Sequence, residues 1–170
     1  VCGVRCQGER ALGPRGARLV NEADQSFATA ARAAISADNP SEVELLLDRF
    51  GPELSAEVRS EWAQRAAWDA YLALDDALAM KLGARAADGQ GEWAAMGHWV
   101  AGLAAFRTGQ WDNAATHFDA ISQVYVAPSD LRSAAAYWAA RAHVRGGRPW
   151  LLTERLKSAI ARDRDGFYGL

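Results

Sequence analysis

A side chain acting as general acid at neutral pH needs its carboxyl held protonated in an apolar, desolvated pocket, which singles out two glutamates set beside tryptophan, Glu61 before Trp62 and Glu92 before Trp93. Both fall near the start of a predicted helix, where the helix dipole favours the ionised form. That is the wrong direction for the role. The three histidines, His98, His117 and His143, lie far apart in sequence, with no His-x-x-x-His or Cys-x-x-Cys pair, and each reads as a groove or surface histidine. No Gly-x-Ser-x-Gly, phosphate loop or dinucleotide fingerprint occurs, and Gly146-Gly147 followed by Pro149 has the chemistry of a helix stop. The chain is therefore expected to carry no catalytic residue, no metal and no cofactor.

Seven tryptophans invite a different chemistry, the stacking of sugar C–H faces on indole rings. Trp99, Trp111 and Trp138 fall at positions where a large side chain fills the space between helices, and they read as core. Trp68 and Trp150 are less tied to that pattern and are the candidates for a ligand-facing surface. Arg141 and Arg148 accompany them in a basic C-terminal part, residues 130–170, whose net charge is +4 against −9 for residues 19–129 and +3 for residues 1–18. Its first reading is a solvated face with arginines near helix C-termini, and a patch for an anionic partner is the alternative. The modest charge and the lack of aromatic-interleaved basic motifs argue against nucleic acid.

The elements that would position these residues are helical. Half of the 170 residues are hydrophobic, alanine is the commonest of them, and β-branched residues are few, a composition that favours helix over strand. No run of about 18 apolar residues offers a membrane span. Cys2 and Cys6 sit in a Gly- and Arg-rich start without periodicity, where they either pair or remain free thiols, and no signal-peptide pattern is visible. Residues 1–19 are expected to be irregular, and residues 20–170 to form one repeat domain.

Periodicity begins near Asn21, read as an N-cap, and stops at Asp38-Asn39-Pro40. Ser41 and Glu44 have the spacing of a capping box, followed by the stripe Val43, Leu46, Leu47 and Phe50. Further helices are predicted over 56–74, from 76 to about 88, 92–107, 112–125, 129–144 and 151–161. The pattern is four helix hairpins in series. Equivalent positions Val43, Ala79, Ala114 and Leu152 are 36, 35 and 38 residues apart, near the roughly 34-residue tetratricopeptide period. In the third unit Gly102, Gly109, Trp111, Ala114, Phe118 and Ile121 fit that consensus, with Gly102 and Ala114 expected where two helix backbones approach closely.

The run from Trp99 to Gly109, then Ala114 and Phe118, then Tyr137-Trp138 with Arg141, and finally Phe167-Tyr168-Gly169, resembles the soluble lytic murein transglycosylases. The likeness covers residues 92–170 well, residues 20–91 only in helical character, and residues 1–19 not at all. It implies an all-α, right-handed superhelix of degenerate tetratricopeptide-like hairpins in a periplasmic enzyme. Such enzymes cleave the β-1,4 bond between N-acetylmuramic acid and N-acetylglucosamine, leaving a 1,6-anhydro product. Their catalytic glutamate belongs to a Glu-Ser pair in a lysozyme-like domain that follows the superhelix. None of the nine glutamates here precedes serine, so the chain is expected to be the non-catalytic superhelical part, partnered by a downstream catalytic domain and, through it, by the glycan strand. In the family the Tyr137-Trp138-Arg141 segment packs the superhelix toward that domain. The competing reading is a tetratricopeptide-like module that holds a peptide.

Overall fold

The computed structural model describes residues 14–124 and 126–162. Cys2, Cys6, Tyr125, Phe167, Tyr168 and Gly169 lie outside them. The described residues form eight helices and no strand: α1 (Pro14–Ser36), α2 (Pro40–Phe50), α3 (Ala56–Leu72), α4 (Asp76–Ala87), α5 (Gly91–Arg107), α6 (Trp111–Ile121), α7 (Ser129–Arg145) and α8 (Leu152–Arg162). The fold is all-α, and no helix among the described residues is long and apolar enough to cross a membrane.

Two helix starts differ from the sequence reading. Helix α1 begins at Pro14, so part of the segment expected to be irregular is helical, and Asn21 lies inside the helix, where its Oδ1 accepts from Gln25 Nε2 at 3.3 Å. Proline explains the early start, because its fixed φ and missing N–H suit a first helical turn. The same effect moves the start of α2 to Pro40, which puts Ser41 inside the helix. The capping box does not form: Ser41 Oγ donates to Asn39 Oδ1 at 2.7 Å, and Glu44 pairs with Lys81. Side-chain caps occur instead at Ser55, which accepts from the Val58 N–H, and at Asp75, which accepts from the Leu78 N–H.

The hairpins α1/α2, α3/α4, α5/α6 and α7/α8 share one turn. Each first helix ends on a residue in the left-handed region, Asp38 (φ 53°), Leu74 (φ 65°), Gly109 (φ 77°) or Gly147 (φ 79°). At each, the next residue's N–H donates to the carbonyl five positions back: Asn39 to Ala34, Asp75 to Ala70, Gln110 to Ala105 and Arg148 to His143, all at 2.8–3.0 Å. This is the Schellman stop, repeated after 36, 35 and 38 residues. Leu74 occupies that conformation without glycine's freedom, while 73% of its surface stays exposed. It bears a strain of about 1 kcal/mol with no compensating burial.

Packing follows chain order. Each helix contacts the next, and α1 with α3 and α3 with α5 also touch. Arg107, ending α5, stacks on the Tyr71 ring at 3.9 Å and donates to both Asp76 carboxylate oxygens at 2.8 and 3.0 Å, tying the third hairpin to the turn of the second. One buried cluster runs from Phe27 and Ala31 through Val43, Leu47, Trp62 and Leu82 to Val100 and Ala104. A second holds Ala105, Ala114, Phe118, Ile121, Ala135 and Ala139. A close backbone approach joins α4 to α5: a Cβ on Gly97 would lie 2.7 Å from the Gly83 carbonyl oxygen and 2.6 Å from the Ala86 Cβ. Gly102 answers a different need, since its missing Cβ would stand 2.7 Å from the Phe118 ring. Ala114 is fully buried, as a small residue at that position should be.

Candidate functional site

Trp99, Phe106, Trp111, Phe118 and Trp138 form one aromatic seam. Phe106, from α5, meets Trp111 edge-on at 5.0 Å and Trp138 edge-on at 5.1 Å, while Phe118 lies between Trp99 (5.6 Å) and Trp138 (6.2 Å). Arg141, one turn after Trp138 on α7, covers that ring at 4.6 Å, with Phe106 and Tyr137 at 5.4 and 5.8 Å. Its guanidinium is thereby a lid on the seam, held by ring quadrupoles. Trp99, Trp111 and Trp138 are half-buried packing residues, and the seam fixes α5, α6 and α7 relative to one another.

The other candidate residues are dispersed. Trp68, on α3, is 37% exposed and stacked on Tyr71 at 5.7 Å; Trp150 is 71% exposed in the single 3₁₀ turn before α8. Arg148 is committed to the protein, pairing with Asp112 at 2.6 Å and donating from Nε to His143 Nδ1 at 3.1 Å. Glu61 pairs with Arg65 at 2.9 Å. Glu92 is exposed on the first turn of α5, at the rim of a cleft of about 1090 Å³. Glu57, Arg59, Asp88, Trp93 and Val126 also line that cleft. Its open, mixed-charge wall does not supply the dry pocket a neutral carboxylic acid requires.

Two polar groupings escaped the sequence reading. His98 on α5 and His117 on α6 face each other across the third hairpin, Nδ1 to Nδ1 at 3.0 Å. The signal was available only in part: Gly109 lies between the two on antiparallel helices, but at unequal distances, so their meeting depends on how the helices pack. Burial pushes His117 down to about 4, with His98 adding to the shift; burial also lowers His98, against the opposing charge of Asp88. The second grouping joins α6, α7 and α8. Asp119 Oδ2 accepts from His143 Nε2 at 3.1 Å and from Arg155 at 2.8 Å, and Ser133 Oγ donates to the Ala159 carbonyl at 2.8 Å. Among the described residues no three His, Cys, Asp or Glu side chains converge as a metal cage.

The histidine pair makes stability depend on pH with a definite sign. A folded-state value of about 4, below the ordinary 6.5, means that the pair's contribution is complete above pH 6.5 and is lost as pH falls toward 4. Between pH 7 and 4.5 the wild type should lose about 1–2 kcal/mol more than His117→Gln, allowing for the ring's solvent-facing side. Urea titrations in the presence of a chelator measure this difference. Parallel pH profiles for the two proteins would contradict it.

The chain matches no protein-family profile, no curated protein and no solved structure.

Proposed function

We propose that the chain is a non-catalytic scaffold from a periplasmic lytic transglycosylase, a right-handed superhelix of tetratricopeptide-like hairpins that holds a curved surface against a peptidoglycan strand while a separate domain cuts it. The observation that carries this reading is the aromatic seam. The residues that resemble the family, from Trp99 and Phe106 to Phe118, Trp138 and Arg141, touch one another and make a rigid joint between successive hairpins. The identical turn at Asp38, Leu74, Gly109 and Gly147 supports a repeated rotation from hairpin to hairpin. Trp68 and Trp150 are the exposed indoles available to stack on sugar rings.

A second reading, a tetratricopeptide-like peptide-binding module, is favoured by the cleft, where Trp93 and Val126 stand among charges of both signs. Purified murein separates the two. The chain should release no 1,6-anhydro product from it, and measurable turnover would sink the scaffold assignment. It should co-sediment with murein, with binding reduced in Trp68→Ala and Trp150→Ala. Absence of co-sedimentation would favour the peptide-binding module.

A further inference from the structure

The cleft beside the turn from α4 to α5 is lined by charges of both signs, but its positive groups are already engaged within the protein. Arg59 Nη1 donates to the Gly51 carbonyl at 3.0 Å, and Arg85 pairs with Asp48. The three carboxylates on the same wall, Glu57, Asp88 and Glu92, form no ion pair among the described residues. What the cleft leaves to a ligand is therefore negative. We propose that it takes a basic peptide segment of a partner protein, with lysine or arginine side chains against these carboxylates and an apolar side chain against Trp93 and Val126. Such a ligand rests on the peptide-binding reading above and is independent of the scaffold reading.

Glu57 and Glu92 by themselves mean little, since they stand on the first turns of α3 and α5, where the helix dipole accounts for a carboxylate. Asp88 has the opposite placing. It is the C-cap of α4, where the dipole disfavours negative charge, so a cation entering the cleft relieves it. Ser60 points to a ligand on separate grounds. It is only 3% exposed, what remains exposed opens on the cleft, and its Oγ would lie 1.9 Å from a Cβ on Gly89, yet its hydroxyl makes no hydrogen bond with the described residues. A hydroxyl so enclosed ordinarily has a partner, and a peptide N–H or a side-chain cation in the cleft supplies one. The volume of about 1090 Å³ exceeds what one small molecule fills and suits several residues of chain. Trp93 and Val126 add the apolar surface that a bare polyamine would leave unused.

A fluorescein-labelled octapeptide alternating arginine and leucine is the probe, read by anisotropy against the full chain. It should bind more tightly than the same peptide with glutamate or glutamine in place of arginine, and spermidine should compete poorly. Asp88→Asn combined with Glu92→Gln should weaken binding about tenfold, and Ser60→Ala about threefold, the ordinary worth of hydrogen bonds to charged and to neutral groups. Asp88→Asn should leave the thermal midpoint unchanged or raised, which separates lost binding from lost folding. Glu42→Gln combined with Glu154→Gln, neither of which lines the cleft, removes the same charge and should leave the affinity unchanged. Preference for the glutamate or glutamine peptide, strong competition by spermidine, or equal loss in the Glu42 and Glu154 variant would each overturn the basic-segment assignment. The first of these would leave the peptide-binding reading standing, whereas binding of none of the peptides would end both.

Discussion

Gly97→Val should lower the unfolding free energy by about 3 kcal/mol and the thermal midpoint by roughly 10 °C, as followed by circular dichroism at 222 nm. The size of the effect comes from what surrounds the glycine. In an open helix, replacing glycine with alanine gains about 1 kcal/mol through propensity. At Gly97 the first carbon added would fall 2.6 Å from the Ala86 Cβ, 2.7 Å from the Gly83 carbonyl and 2.8 Å from the Ala87 amide nitrogen. Two of those three atoms are backbone, so rotating a side chain relieves nothing and α4 and α5 must move apart. The movement would open the buried contacts of Leu82, Ala86, Val100 and Ala101 along the crossing. Gly97→Ala should therefore also destabilise, reversing the ordinary sign. Gly102→Ala is the internal comparison: its added carbon meets the Phe118 ring, which can tilt, so the loss should be smaller. An unchanged midpoint for Gly97→Val would mean that α4 and α5 do not cross there.

The two glycines also mark how far the sequence carries. Helix order and hairpin spacing were legible because they rest on local chemistry: prolines and glycines at the breaks and apolar residues at helical spacing. The turn positions Asp38, Leu74, Gly109 and Gly147 repeat at the same intervals as Val43, Ala79, Ala114 and Leu152, so the unit read from patterning is the unit the backbone builds. Leu74 shows the limit of residue type as a guide. Nothing in a leucine announces a left-handed turn, yet the Schellman bonds of its neighbours hold it there. Gly83 and Gly97, inside helices, look only like weak helix formers until the opposing helix is in place. Gly102, expected where two helix backbones approach, faces the Phe118 ring instead.

Side-chain chemistry was less legible than backbone. Tyr137, Trp138 and Arg141 share a helix, so their clustering follows from spacing, whereas Phe106 and Phe118 join them only through the folding of the third hairpin. Arg141 and Arg148, plausible ligand contacts by charge, are committed to an aromatic seam and to an ion pair. The basic character of the C-terminal part thus reflects, in three of its arginines, internal bonding: Arg141 covers Trp138, Arg148 pairs with Asp112, and Arg155 pairs with Asp119.

Asp119→Ala should cost about 2–3 kcal/mol and loosen α8 first, because this one carboxylate is the meeting point of three helices. Its Oδ2 accepts from His143, only 7% exposed on α7, and from Arg155 on α8. The direction of the bonds is set by Arg148, whose Nε donates to His143 Nδ1, leaving Nε2 to carry the proton that goes to Asp119. Alanine removes the shared acceptor, so a buried imidazole N–H and a partly buried guanidinium each lose their partner at once, the situation in which deletion costs more than the pair contributes. Among the links of α8 to α7 that would remain are the Ser133 to Ala159 hydrogen bond and the burial of Ala159. Hydrogen exchange should then accelerate over residues 152–162 well before the amides of α5, while Asp119→Asn, which keeps one oxygen acceptor, should show a smaller change in the same direction. Uniform acceleration across all helices would instead place Asp119 in a single global unit, and unchanged exchange in α8 would remove it from the joint altogether.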